Sequence, residues 1–254
     1  MNDVEMLRQK SKDLRLQVLQ IAHETKRGHV GSSFSILDIL VTMYYTDLFD
    51  PEKDRLLMGK GHACLPVYCI LNHLGHISDD LLKEYGTNGG RLGIQFDRNV
   101  PTIEYNTGSL GNVFGIAAGL AVTKKYRNIY AIIGDGEAEE GSIWETADFV
   151  SRLSDCRMIL IVDRNHLGVI QEITDNNLSA KFGEFGLSWI VVNGHDHKET
   201  YSTITALSFC KPLVIIADTV KGKGVSFMEN TAIWHAGSMS EEQYQQAKKE
   251  LQNG

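Results

Sequence analysis

AIIGDGEAEEGSIWETADF (Ala131–Phe149) is an apolar run that halts on Gly134-Asp135-Gly136 and is followed at once by Glu137, Glu139 and Glu140. Glycine alone is consistent with a turn, and aspartate with a turn or a helix cap. The setting decides between these and a ligand site. IYAIIG (129–134) is one of four short, unbroken apolar runs, with MILIVD (158–163), SWIVVNG (188–194) and LVIIADT (213–219). Helix-like segments precede them at 112–126, 142–153, 176–186 and 199–209. Unbroken apolar strands alternating with helices predict an α/β fold, a doubly wound, mainly parallel sheet with helices on both faces.

Outward from that core, residues 5–24 have Leu7, Leu14, Val18 and Ile21 at helical spacing. Ser35 with Asp38 reads as a capping box opening a helix over 35–46. Arg55–Met58 is a short strand; 63–74 and 78–85 are helical, the second starting from Ser78-Asp79-Asp80. Gly86 to Asn106 is irregular, and a loop of that length in a compact domain is usually functional. The helix over 112–126 is apolar nearly all round, which suits burial on most sides or packing on another subunit. A polar helix from Ser240 to Gln252 closes a chain expected to be one domain, 1–254.

Composition narrows the function. The chain has 254 residues with 43% hydrophobic and 22% charged side chains, which is ordinary globular usage. Its formal charge of −7, with no basic stripe or tail, speaks against nucleic acid or an anionic membrane as partner. No apolar stretch reaches the roughly 20 residues a bilayer span needs. The charged N-terminus has no apolar signal core, and Cys64, Cys69, Cys156 and Cys210 form no close pair. They read as buried or free thiols in a reducing cytoplasm.

In a parallel sheet, ligands sit beyond the carboxyl ends of the strands. One strand exits at Gly134-Asp135-Gly136, and the next at Asp163-Arg164-Asn165-His166-Leu167. If the two lie side by side, Asp135 and Asn165 face each other. A carboxylate, an amide oxygen and a backbone carbonyl from this loop are hard donors suited to Mg²⁺ or Ca²⁺. The glycines let backbone approach a phosphate, and the helix starting near Gly141 turns its positive end to the same place. Asp135 taken alone is as consistent with a turn or cap residue.

Gly134-Asp135-Gly136, separated by 26 residues from Asp163-Arg164-Asn165, resembles the thiamine-diphosphate fingerprint. Further segments resemble transketolases in particular. They are Lys26-Arg27-Gly28-His29-Val30-Gly31-Ser32-Ser33, Lys60-Gly61-His62, Thr107-Gly108-Ser109-Leu110-Gly111, Gly134 to Glu145, and Thr219 to Asn230 with Trp234-His235. The resemblance implies the family's diphosphate-binding domain. It implies that Asp135, Asn165 and the carbonyl of Leu167 hold Mg²⁺ (or Ca²⁺) against thiamine diphosphate. Gly136 lies close to the diphosphate, and Gly108 and Leu110 line the thiazolium pocket. His62 and His235 bond phosphate oxygens or the reacting centre. His29 faces substrate hydroxyls and assists proton transfer, a task that a near-neutral pKa suits. Glu140 matches a glutamate of a subunit-spanning proton relay. Glu137 and Glu139 read simply as acids near a helix N-terminus, with Glu137 also kept among the cofactor-facing positions.

Transketolases continue into further domains that carry the pyrimidine site and the activating glutamate. The resemblance therefore implies the N-terminal subunit of a split enzyme. It would work with a C-terminal transketolase partner chain as α2β2 on a sugar or sugar-phosphate substrate, with no nucleic acid or membrane partner. One departure bears on substrate: Ile94 stands 13 residues before Thr107, where the family carries a histidine. Val30, Asn112-Val113 and Arg164 are milder departures. The pocket is expected to be locally more apolar unless Gln95 or a shifted loop compensates, and the donor to be a modified sugar or a keto acid. The rivals are a pyruvate dehydrogenase E1 type enzyme, a NAD-binding Rossmann domain and a non-catalytic scaffold or regulatory subunit. The Gly-His segments speak against the first. The second lacks its glycine spacing, and the retained histidines with Asp135 and Asn165 speak against the third.

Overall fold

The computed structural model describes residues 4–103, 105–154, 157–168, 172–173, 177–206 and 212–254. The elements run α1 (Val4–Thr25), α2 (Val30–Tyr44), β1 (Arg55–Met58), α3 (Leu65–His73), α4 (Asp79–Leu82), α5 (Asn112–Val122), β2 (Ile129–Gly134) and α6 (Gly141–Ser151). There follow β3 (Met158–Arg164), α7 (Leu178–Glu184), β4 (Ser188–Asn193), α8 (His197–Ala206), β5 (Leu213–Asp218) and α9 (Glu241–Asn253). The five strands form one sheet in the order β1-β2-β3-β5-β4, every pair parallel. This is the expected parallel sheet, and its apolar strands run where the sequence predicts them. β2, β3 and β5 are buried almost end to end, as unbroken apolar strands covered on both faces must be. The sheet order puts the exits of β1, β2, β3 and β5 side by side, and these four exits build the site.

Helix ends depart from the sequence reading more than strands do. α2 starts at Val30, not Ser35, and the expected capping box does not form. Ser35 is fully buried and gives its hydroxyl to Ser32 O and to Asp163 Oδ2 (2.6 Å), while the carboxylate of Asp38 is taken by Arg15 (2.7 Å). Tertiary partners thus consume both groups of the expected cap. α4 starts from Ser78 as expected, its side chain accepting from Leu81 N (3.2 Å). α9 opens with a complete capping box at Ser240. α5 ends at Val122, four residues short of the expected end, and is not buried all round. Val113, Phe114, Ala117, Ala118 and Ala121 face the core, whereas Gly115, Ile116, Gly119 and Val122 are exposed. Cys64 and Cys69 are free, buried thiols; Cys156 and Cys210, the ends of the helices expected over 176–186 and 199–209, and Glu104 of the irregular stretch lie outside the described residues. No described helix is long and apolar enough to cross a membrane.

One buried carboxylate ties the entry of the sheet together. Asp54 has no exposed surface, yet it pairs with Arg127 and accepts from Asn128 N (3.0 Å), Asn128 Nδ2 (3.1 Å) and Asp50 N (2.9 Å). Its loss strands a guanidinium and two backbone donors. Asp54→Ala is therefore expected to lower the unfolding free energy by about 3 kcal/mol, read from urea denaturation; a change under about 0.5 kcal/mol, the scale of an ordinary surface substitution, would contradict this.

Candidate active site

The geometry begins with register. Gly134 of β2 lies opposite Asp163 of β3, and Asp135 N donates to Asp163 O (3.2 Å), so the two strands exit level. Asp135 then accepts from Gly136 N (2.9 Å) and His166 N (2.6 Å). His166 adopts a left-handed φ of 60°, which turns the chain so that Leu167 N donates to Asn165 Oδ1 (3.1 Å). Asp135 and Asn165, both nearly buried, thus face one cavity of about 270 Å³, which Leu167 also lines. The same cavity is lined by His62, Leu110, Gly136, Glu137 and His235, and by Ser32 and Lys60.

Asp163, at the end of β3, has no exposed surface. Its carboxylate pairs with the ammonium of Lys60, from the exit of β1, and accepts from Ser35 on α2 and from the hydroxyl of Thr219 beyond β5. Four elements are fastened at one charge. Burial and then the charge of Asp163 push the Asp135 carboxyl upward. A cation beside Asp135 would relieve that cost.

Sequence reasoning missed the cationic side of the cavity. Lys60 and Lys221 are both buried. Lys221 Nζ donates to Leu167 O (3.2 Å), Gly168 O (2.9 Å) and His235 Nδ1 (3.1 Å). Burial, then Lys60, brings its ammonium down to about 8. The signal in the sequence was a lysine next to glycine just past an apolar strand, at Lys60-Gly61 and Lys221-Gly222.

His29, His62 and His235 come together from three separate segments, with ring centroids 4.9–5.4 Å apart. Burial, then Lys60, pulls His62 down to about 2, and burial, then Lys221, pulls His235 down to about 4. His29 is also lowered, mainly by burial, rather than poised near neutrality as expected. The cluster is a set of neutral imidazoles beside two lysines, able to donate and accept hydrogen bonds.

The glutamates separate. Glu137 is 2% exposed and accepts from Gly111 N (2.9 Å), the residue before α5. It therefore serves the N-terminus of α5, not the exposed start of α6, and burial raises it to about 7. Gly59 lies over this carboxylate, where a Cβ would collide with it. Glu139 is exposed at the cavity mouth. Glu140 is exposed at the start of α6 and does not join the histidines. Gly108 has a left-handed φ of 133° and no atom within 4 Å of where a Cβ would lie, so this backbone borders open space.

Ile94 is half-buried, and its Cγ2 packs over Gly86 beside the stem of Arg27. Gln95 Oε1 accepts from Thr107 Oγ1 (3.2 Å), and both crowd Gly61, next to His62. The residue that reaches the histidine side is therefore Gln95, a neutral amide.

Glycine-rich backbone, buried lysines, neutral histidines and oxygen donors at the carboxyl edge of a parallel sheet define a protein that grips a phosphorylated cofactor. A family model described as "Transketolase, thiamine diphosphate binding domain" matches residues 7–253. One of the two kinds of chain in the apulose-4-phosphate transketolase of Phocaeicola vulgatus is 32% identical, the match covering 98% of this chain and 94% of that protein. The 6-deoxy-6-sulfo-D-fructose transketolase subunit SqwG of Clostridium sp. (strain MSTE9) is 35% identical over 89% of this chain and 88% of that protein. The crystal structure of transketolase from Campylobacter jejuni superposes with a TM-score of 0.90 at 25% identity, covering 99% of this chain but 43% of that one. The chain belongs to the transketolase family, whose members are thiamine-diphosphate-dependent transferases.

Both lysines hold the neighbouring rings neutral. In the folded apoprotein, NMR titration of the imidazole carbons is expected to leave His62 and His235 uncharged at pH 6, their unfolded pKa being about 6.5. Because both are depressed, the stability they contribute is complete above about pH 6.5 and is lost as pH falls toward the folded values. Titration of either ring near 6.5 would contradict the geometry.

Proposed function

We propose that this chain is the diphosphate-binding subunit, one domain over 1–254, of a two-chain transketolase. The enzyme transfers a two-carbon ketol unit from a ketose to an aldehyde and turns over only with a C-terminal partner. The observation that carries the reading is the convergence of Lys60, Lys221, the histidines and the Asp135–Asn165 donors on one cavity. Thiamine diphosphate fits it. Gly134 has no neighbour within 4 Å of a built Cβ, and Gly136 meets only Ile173 at 3.6 Å, so side chains there would fill the space. Among the described residues no three His, Cys, Asp or Glu side chains gather as a metal site. The fitting donors are one carboxylate, one amide and one backbone carbonyl, the oxygen set that Mg²⁺ (or Ca²⁺) accepts while keeping phosphate and water ligands.

In this reading Asp135, Asn165 Oδ1 and Leu167 O hold the ion. Lys60, Lys221, His62 and His235 meet the diphosphate, and Gly136 leaves it room. Gly108 and Leu110 border the ring, and Glu137 steadies the Gly108–Gly111 loop through Gly111 N. Bound thiamine diphosphate supplies the carbon nucleophile and the electron sink. His29 donates to and accepts from substrate hydroxyls beside His62 and His235. Glu140, exposed, joins a proton path shared with a neighbouring subunit. The exposed Gly115, Ile116, Gly119 and Val122 face of α5 suits close helix packing between subunits in an α2β2 assembly. Buried free thiols at Cys64 and Cys69 suit a cytoplasmic protein.

A second reading concerns the donor. Two relatives are named for modified sugars, apulose 4-phosphate and 6-deoxy-6-sulfofructose, and here an isoleucine and a pinned glutamine occupy the loop beside His62. We infer a modified or branched ketose as donor. Steady-state kinetics of the reconstituted pair are expected to show kcat/KM at least about tenfold higher on such a ketose than on xylulose 5-phosphate, a difference of about 1.4 kcal/mol. The isolated chain is expected to show no turnover. Higher efficiency on the pentose phosphate would remove the donor reading, and turnover by the isolated chain would remove the two-chain reading.

A further inference from the structure

We propose that His195, remote from the cavity, is a positioning residue that fixes Lys221 through the backbone of Val220, with Asp38 as its anchor. The proposal rests on the reading of Lys221 as a diphosphate-gripping lysine.

His195 follows Gly194 in the turn after β4. That turn is locked onto the neighbouring strand. Gly194 N donates to Asp218 O (2.8 Å), and a Cβ at Gly194 would lie 2.6 Å from Thr219 Cγ2. From there the imidazole reaches two groups. Val220 N donates to Nε2 (2.8 Å), so that nitrogen must carry the lone pair. Nδ1 then carries the proton and donates to Asp38 Oδ2 (2.7 Å). The tautomer is dictated at both ends. Asp38 is nearly buried and is itself gripped by Arg15 at two points, Nη1 to Oδ1 (3.0 Å) and Nη2 to Oδ2 (2.7 Å). The anchor therefore belongs to α1 and α2, the helices that carry the Gly28–Ser33 segment between and into them.

The other end of the strut is the turn that presents Lys221. Thr219 N is held by Arg164 O (3.0 Å), and Gly222 N by Gly31 O (3.0 Å). Between these two, the bond from Val220 N to His195 is the restraint on the residue immediately before Lys221. Lys221 has 1% of its surface exposed, and its ammonium is spent on two carbonyls and His235. Holding a desolvated cation in a fixed place requires a fixed backbone, because small displacements forfeit the charge-assisted bonds that offset its desolvation. Only a side chain with a donor on one edge and an acceptor on the other joins a buried carboxylate to a buried N–H.

The test uses the full chain without cofactor. Lys221 reactivity is read by limited acetylation and mass spectrometry, and affinity by titration with inorganic pyrophosphate and Mg²⁺. His195→Ala is expected to raise acetylation of Lys221 severalfold and to weaken pyrophosphate about tenfold, the scale of one buried hydrogen bond. In a Lys221→Met background the same substitution is expected to change pyrophosphate affinity less than about twofold, because the two residues act as one unit. His195→Asn, which keeps a polar group at the position, replaces His195→Ala if the latter does not fold, with the same outcomes expected. Unchanged Lys221 acetylation in a folded variant would overturn the proposal, and so would an undiminished effect in the Lys221→Met background. If the unsubstituted chain binds no pyrophosphate, the functional reading fails, while the acetylation comparison still decides whether His195 positions Lys221.

Discussion

A single buried carboxylate, Asp163, is the constraint on which the site depends. With no exposed surface it is tolerable only because Lys60, Ser35 and Thr219 all satisfy it. Those partners come from the exit of β1, from α2 and from beyond β5. Their attachment sets where three loops leave the sheet. Asp163 also raises the proton affinity of Asp135 beside it, so the fold arrives with an acid that favours a cation. Lys60, paired below, and Lys221, pinned to two carbonyls, give the opposite wall its charge.

That division explains why the histidines are neutral. Placing three imidazoles next to two ammonium groups in a desolvated corner suppresses their protonation. The cavity therefore offers fixed cationic charge from lysine to an anionic group and hydrogen-bonding capacity from histidine to hydroxyls. The two tasks fall to different residue types, and neither depends on a proton being present on a ring.

The strands were legible almost to the residue because β2, β3 and β5 are sealed on both faces, and complete burial writes an unbroken apolar run. Asp135 and Asn165 were legible because strand exits in a parallel sheet converge. The start of α2 was not, since Ser35 and Asp38 look like a cap until Asp163 and Arg15 claim them. Lys60 and Lys221 were invisible as a pair because 161 positions separate them (221 − 60) and only the sheet order unites them. Glu137 was misread by proximity: the helix start it serves is that of α5, reached through Gly111, and not the nearer α6. At Ile94 sequence spacing located the loop but not its orientation, which the bonds of Gln95 and Thr107 determine.

Calorimetric titration of thiamine diphosphate with Mg²⁺ into the chain assembled with its partner tests the central claim most directly. The account predicts one saturable site per chain, lost in Gly136→Val, whose side chain would occupy the space that Gly136 leaves open. No heat of binding in the unsubstituted assembly, or equal binding by Gly136→Val, would contradict it.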